Sequence, residues 1–467
     1  MRGGGADVRR LVVVGHGMAA TRLVEELVAL GSSDEITVVG DEPGPAYNRI
    51  LLSAVLEGSH AEEALTLRDT GWYAGHGVRL VGGTRVDELD RAGRQVVLAD
   101  GSRLPYDHLV LATGANPTLP PMRGLVRRDG RLHERVHAFR SLADCRRLLE
   151  ALPAARRAVV VGGGLLGLQV ARALSVRGVL VEVVEGGDHL LRSQVGPRAG
   201  SVLQRSLTRL GTAVYLGARG VRLTEAGVVL DNGYVLETDL VVITAGGRPA
   251  ASLARRAGLT VRRGVVVDDH LTSPDDPRVH AIGDCAEHEG RVSGFVPPAW
   301  EQASILARRL AGHDVCYSGA RSVVRLRASD LDVAVLGDPE HEPGEVVEIA
   351  NPVAGSHRKL VVREGRVVAA SLVGDLSQVG LLTQHFDRGT VLGPREPGSL
   401  LLPDRPAAPR AIPDDAEVCA CAGVSAARIR SCRTVEDARR TTRAGTGCGG
   451  CADVVRQLVA TTERHPV

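Results

Sequence analysis

The chain has 467 residues, and at about 100–200 residues per domain it has room for three or four domains, each able to bury a core. Its 57 basic and 55 acidic side chains leave a net charge of +2, so neither nucleic acid nor an anionic membrane is expected as a partner on electrostatic grounds. The basic residues are almost all arginine, with Lys359 the only lysine, which reads as codon bias in a GC-rich genome and not as phosphate binding.

The opening apolar run, LVVVGHGM, is too short for a signal peptide, and no window reaches the roughly 20 apolar residues of a membrane span. A cytoplasmic location follows as the expectation. Thiols stay reduced there, so the eight cysteines read as metal ligands, catalytic groups or core residues before disulfides. Cys145, Cys285, Cys316 and Cys432 stand isolated and receive no role.

Residues 11–27, LVVVGHGMAATRLVEEL, predict a buried parallel strand, a glycine turn and a helix carrying Leu23, Val24 and Leu27 on one face. This is the order a dinucleotide fold requires. Gly15 permits the tight turn, Gly17 lets a pyrophosphate approach the backbone, and Ala20 takes the third small position, where helix packs on strand. The next strand, ITVVG at 36–40, ends in Asp41 and Glu42, about 20 residues on, where an acid can bind an adenosine ribose.

The pattern repeats at AVVVGGGLLGLQVARAL, residues 158–174, with Gly162, Gly164 and Gly167 in the same frame. Its second strand, LVEVVE, ends in Glu185. A carboxylate there accepts from a free ribose 2′-hydroxyl and repels a 2′-phosphate, favouring NADH over NADPH, with neighbouring arginines as the groups that could rescue NADPH. Two fingerprints imply two dinucleotides, a flavin and a nicotinamide. The alternative is that one half is a vestigial Rossmann-like domain.

YDHLVLATGANP (106–117), ITAGGRP (243–249) and VHAIGDCAE (279–287) resemble three further signatures of the two-dinucleotide flavoprotein reductases, which include rubredoxin and ferredoxin reductases. The resemblance implies that Thr113 and Gly114 close the FAD site, that Gly246 joins the cofactor-binding set, and that Asp284 bonds the ribitol of FAD; Asp284 reads equally well as the N-cap of a helix. It also places Asp41 and Arg49 around the FAD, and backbone near Trp300 and Glu301 over the flavin ring. No cysteine falls within residues 41–60, where disulfide reductases, peroxidases and oxidases of this class carry redox thiols, so electrons are expected to leave the flavin directly. Gln169 stands where the family usually has glutamate beside the nicotinamide. No general base is assigned and no catalytic residue is named.

From about residue 320, short Val-rich strands with a turn at Glu364-Gly365 resemble the α+β third domain of the same reductases, often a dimer surface, which makes a homodimer one expectation. Residues 393–415 carry six prolines and no sustained periodicity, which predicts a semi-extended linker. Beyond it, VCACAGVS and TGCGGC set Cys419, Cys421, Cys448 and Cys451 in two pairs. Four thiolates are a full ligand set for one zinc or one 2Fe-2S cluster. The C-x-C pair and the glycines Gly447, Gly449 and Gly450, which let backbone N–H groups approach a cluster's sulfides, favour 2Fe-2S. The spacing is similar to that of bacterioferritin-associated ferredoxin-type domains.

The expected fold is therefore α/β: two Rossmann-like domains, an α+β third domain and a small helical 2Fe-2S module. The boundaries are 8–119 with 246–315 for FAD, 120–245 for NAD(H), 316–392 for the third domain, 393–416 for the linker and 417–467 for the cluster. The whole order resembles the front part of NAD(P)H-dependent nitrite reductase large subunits and the electron-transfer subunits of assimilatory nitrate reductases. No further cysteine pattern follows Cys451, so nitrite reduction by this chain alone is not expected. The resemblance implies that NADH delivers a hydride to FAD and that the cluster passes single electrons to a separate acceptor protein, a nitrate or nitrite reductase. The alternatives are a ferredoxin-type reductase serving an oxygenase, and a non-catalytic redox sensor with a zinc-held docking module.

Overall fold

The protein is described by a computed structural model covering residues 8–319, 323–328, 330–392, 397–402, 412–447 and 449–462. It forms two compact units: Met1–Asn48 with Glu62–Asn116 and Gly247–Ala320, and Arg49–Ala61 with Pro117–Gly246 and Arg321–Val467.

The first unit is organised by a six-stranded sheet in the order Thr272–Ser273, Asp276–Ala281, His108–Leu111, Arg10–Val14, Glu35–Val39, Arg79–Val81. All neighbours run parallel except the Thr272–Ser273 edge. Parallel strands are covered on both faces, which is why they read as unbroken β-branched runs. Val13 and Val38 are fully buried, and the helix Met18–Ala29 sinks Leu23, Val24 and Leu27 into the same core. The neighbours of Arg10–Val14 lead away from it in opposite directions, so the crevice beyond its carboxyl end is the topological switch point of this sheet.

The second unit repeats the plan. Its parallel sheet runs Val136–Ala138, Leu240–Ile243, Arg157–Val161, Leu180–Glu185, Ala213–Leu216, with the switch point beyond Arg157–Val161. The segment Arg49–Ala61 belongs to this unit: its helix Leu52–Glu57 lies against the helix Leu142–Ala151, with Cys145 Sγ donating to the Leu52 carbonyl at 3.6 Å. Arg177 Nε donates to the Leu56 carbonyl at 3.0 Å.

An antiparallel sheet follows in the order Val323–Ala328, Leu331–Leu336, Arg366–Val373, Ser356–Arg363, Glu345–Asn351, backed by the helix Val379–Arg388. Glu364 and Gly365 take φ values of 51° and 69°, the double left-handed turn that matches the twist of a tight hairpin, as the sequence predicted. Of the stretch predicted as linker, residues 393–396 and 403–411 lie outside the described residues. Residues 397–402 are docked and not extended: Leu400 and Leu401 insert into the core of the antiparallel sheet, which gives this segment apolar area to bury, while Leu402 stays exposed.

The last described segments form a hairpin, Glu417–Cys419 with Val424–Ser425, and the helices Ala426–Arg430, Val435–Thr442 and Ala452–Thr462 around a small core of their own. Among the described residues no helix is long and apolar enough to cross a membrane.

Candidate functional site

In the first unit the glycine turn is built around contact with the end of a neighbouring strand. Gly15 has φ +115°, and a Cβ on it would lie 2.2 Å from the Ala112 carbonyl oxygen and 3.1 Å from the Thr113 nitrogen. Only glycine lets these two chain segments meet. Gly17 is the N-cap of Met18–Ala29 with no side-chain cap, and a Cβ there would meet nothing within 4 Å. The helix therefore presents its first N–H groups to open space, a fit for a pyrophosphate. Ala20 is fully buried at the third small position.

Around this turn the other predicted residues fall as follows. Asp41 is exposed beyond the strand Glu35–Val39 and has no hydrogen-bond partner among the described residues, whereas Glu42 accepts from Tyr47 Oη at 2.7 Å. Thr113 Oγ1 donates to the Ala250 carbonyl at 2.7 Å, and the Gly114 carbonyl accepts from Ala250 N–H at 2.9 Å. Asp284 lies in the short turn Gly283–Cys285, whose Gly283 comes against Ala19 of the fingerprint helix. The strand Ala286–His288 follows it directly, so Asp284 does not cap a helix; Ala286, Glu287 and His288 pair with Val265–Val267 instead, with the buried Glu287 carboxylate accepting from Arg263 N–H at 2.7 Å and Gly264 N–H at 2.9 Å. Trp300 is buried one turn inside the helix Val296–Leu310, its indole N–H donating to the Met18 carbonyl at 3.2 Å. Arg49 falls in the second unit and donates to the Arg140 carbonyl at 3.4 Å.

The second turn has the same construction with one tighter contact. A Cβ on Gly162 (φ +120°) would lie 2.6 Å from the Thr244 carbonyl oxygen, and one on Gly167 would lie 1.9 Å from the Gly162 carbonyl oxygen and 2.9 Å from Thr244 Oγ1. Gly164 is the uncapped N-cap of Leu165–Val176, again with open space where a Cβ would be, so this turn also fits a pyrophosphate. Glu185 ends the strand Leu180–Glu185 with its carboxylate held by two backbone donors, Gly163 N–H and Gly187 N–H, each at 2.7 Å. Arg192 Nε stands 3.6 Å from the same carboxylate, and the Arg219 side chain lies against Gly186. Gly246 is exposed at φ +94° and its carbonyl accepts from Thr118 N–H at 2.9 Å.

In the last module Cys419 and Cys451 are buried in one small core, and Cys421, half-buried, packs against it. Cys451 immediately precedes the helix Ala452–Thr462 and its carbonyl accepts from Val455 N–H. Cys448 lies outside the described residues, and among those described no group of three or more His, Cys, Asp or Glu side chains is arranged to hold a metal ion. Cys432 is buried in the same core, its Sγ 3.4 Å from the Arg428 carbonyl oxygen and 3.5 Å from Thr441 Oγ1, so four soft donors share this module, a composition that suits a thiolate-bound metal or cluster. Cys285 is fully buried, and burial raises its thiol pKa, which fits an inert core residue.

Two residues escaped the sequence reading. Gln302, buried in the helix Val296–Leu310, accepts from Gly283 N–H at 2.8 Å and holds the Asp284 turn. Thr244 closes the second turn by donating to the Val161 and Gly162 carbonyls at 3.1 and 3.2 Å. Gln302 stands two residues after Trp300, so the same WEQ stretch held the clue.

Two parallel sheets, each with an uncapped glycine turn at its switch point, define a protein that binds two dinucleotides. Residues 9–303 match the pyridine nucleotide-disulphide oxidoreductase family. The chain is 33% identical to the nitrite reductase [NAD(P)H] of Bacillus subtilis, over 97% of this chain and 58% of that protein. It is 32% identical to the assimilatory nitrate reductase electron transfer subunit of the same organism, over 97% of this chain and 59% of that protein. It thus spans less than three-fifths of either relative. The solved putidaredoxin reductase in covalent complex with putidaredoxin matches with a TM-score of 0.75 and 28% identity, over 84% of this chain and 95% of that one. The chain belongs to the pyridine nucleotide-disulphide oxidoreductase family and is an NAD(P)H-dependent, FAD-containing oxidoreductase.

Proposed function

We propose that this protein draws electrons from NADH and hands them, through a 2Fe-2S cluster held by Cys419, Cys421, Cys448 and Cys451, to a separate nitrate or nitrite reductase. The observation that carries the reading is the pairing of two open glycine turns with Cys419, Cys421 and Cys451 packed, beside Cys432, into one C-terminal core. When bound, FAD would supply hydride acceptance and the cluster single-electron transfer.

The chain's own residues do the rest. The helix N-termini behind Gly17 and Gly164 offer N–H groups and a positive dipole end to the two pyrophosphates. Glu185, fixed by Gly163 and Gly187, keeps a preoriented carboxylate for a ribose hydroxyl, which favours NADH, and Asp41 offers the same chemistry to FAD. The small core around Cys419 and Cys451 excludes water from the thiolates. The acceptor assignment is supported by the two Bacillus relatives, one a nitrite reductase and one an electron transfer subunit.

The test is the visible spectrum and iron content of anaerobically purified protein before and after stoichiometric NADH. Flavin and iron–sulfur bands that both bleach support the relay; bleaching flavin beside a colourless, zinc-containing module refutes it. Loss of growth on nitrate in a deletion strain supports the acceptor, and normal growth points instead to a small redox protein of the putidaredoxin kind, the partner in the solved complex.

A further inference from the structure

His16 stands between the two glycines of the first turn and is half-buried. Its Nε2 lies 3.0 Å from Tyr73 Oη, with the rings edge-on and their centres 5.2 Å apart. Tyr73, 57 residues further along the chain, is 1% exposed, and its Oη lies 3.3 Å from Thr21 Oγ1. Thr21 Oγ1 in turn lies 3.0 Å from the Gly17 carbonyl oxygen. A side-chain wire therefore runs from the turn, through the core, and back to the turn.

The direction of the protons along this wire can be worked out. A carbonyl has no proton to give, so Thr21 donates to Gly17; Thr21 must then accept from Tyr73, and Tyr73 must accept from His16. This is the one direction in which all three contacts carry a hydrogen. It places the imidazole proton on Nε2 and leaves Nδ1 as a bare acceptor, since the bond made by one ring nitrogen fixes the state of the other. Burial lowers the His16 pKa to about 4 against the opposing pull of Glu42, so the ring stays neutral at physiological pH. Nδ1 has no hydrogen-bond partner among the described residues, and the Cβ of His16 abuts Gly40, the residue before Asp41.

We propose that His16 is a cofactor-reading residue whose Nδ1 accepts a hydrogen bond from a sugar hydroxyl of the bound FAD, with Tyr73 locking the ring in the accepting tautomer. The proposal rests on the assignment of FAD to the first turn. An acceptor at this position discriminates by chemistry: it pairs with a hydroxyl and is repelled by a phosphate oxygen, so it sets the register of the dinucleotide along the turn while the helix N–H groups take the pyrophosphate.

The experiment compares FAD dissociation from the full-length protein and from His16→Asn, His16→Phe and Tyr73→Phe. It is paired with ¹⁵N NMR of the histidine ring nitrogens in the wild-type protein, with FAD bound and removed. Asparagine places an oxygen where Nδ1 was and loses the contact to Tyr73; phenylalanine loses both. The expected result is FAD binding within about twofold of wild type for His16→Asn and about three- to tenfold weaker for His16→Phe, the scale of one neutral hydrogen bond. Nδ1 is expected unprotonated and its resonance responsive to FAD. Tyr73→Phe, which removes only the tautomer lock, is expected to fall between wild type and His16→Phe. A purely structural role for the wire would make His16→Asn as damaging as His16→Phe and would leave the Nδ1 resonance indifferent to FAD; either result overturns the proposal. The NMR reading uses the wild-type chain and so survives a variant that fails to fold. Wild-type protein purified without flavin would overturn the underlying assignment itself, and flavin content separates that failure from the others.

Discussion

Gly167→Ala is the sharpest perturbation of the nicotinamide half. The new methyl would sit 1.9 Å from the Gly162 carbonyl oxygen, and reaching 3.0 Å requires the helix Leu165–Val176 to move about 1.1 Å from the strand end in a close-packed interior. Alanine's helix propensity favours the substitution by at most about 1 kcal/mol. Overpacking opposes it by about 1–3 kcal/mol, and drawing the helix N-terminus back from the coenzyme phosphates removes about 0.3–1 kcal/mol more. The clash decides the sign. We expect NADH to bind about 5- to 150-fold more weakly, the equivalent of about 1–3 kcal/mol, read by anaerobic titration of the flavin band. FAD content, read in the same spectrum, stays unchanged because the first turn carries its own methyl, Ala20, at the matching position. A variant that keeps its FAD and binds NADH as tightly as the parent would refute the steric argument.

Three further outcomes are expected. Glu185→Ala leaves Arg192 and Arg219 beside Gly186 and Gly187 without the opposing carboxylate, so the ratio of kcat/KM for NADH over NADPH should fall about 10- to 100-fold, the scale of a charged hydrogen bond; an unchanged ratio would put ribose recognition elsewhere. His280 lies between His108 Nδ1 at 3.2 Å and Thr272 Oγ1 at 3.0 Å, and burial lowers its pKa to about 3. The unfolded chain, titrating near pH 6.5, therefore binds a proton that the native state refuses between about pH 6.5 and 3, and stability falls with pH by up to about 1.4 kcal/mol per unit in that window. The thermal midpoint should drop from pH 7 to pH 5, and drop less in His280→Gln; equal drops would refute the assignment. Cys419→Ser and Cys451→Ser should each lose iron absorbance while NADH still bleaches the flavin, and iron retained in both variants would contradict the ligand set.

Both Rossmann halves were legible because their information is local. In LVVVG and AVVVG the strand, the turn and the first helical residues follow one another, and glycine is required by contacts within the turn or with the adjacent strand end. What escaped reading is non-local. The bond from Trp300 to Met18 spans 282 residues and that from His16 to Tyr73 spans 57, and nothing in either short stretch names its partner. Residues 49–61 were read with the first domain because they follow its acid, yet their apolar face is buried against the helix Leu142–Ala151. The docking of Leu400 and Leu401 is masked by prolines around them, which signal a chain break but say nothing of what two adjacent leucines will find to cover them.

The first unit is assembled from three separated stretches, with Asp276–Ala281 paired to His108–Leu111. On a ribosome adding about 5–20 residues per second, the strand His108–Leu111 waits roughly 8–35 seconds for a neighbour that lies about 170 residues downstream. During that wait the whole parallel sheet of the inserted stretch Pro117–Gly246 emerges with all its partners and can close on its own. The nascent chain thus carries a finished inserted domain behind an unfinished sheet, and the open apolar edge at His108–Leu111 is a target for chaperones and a liability in overexpression.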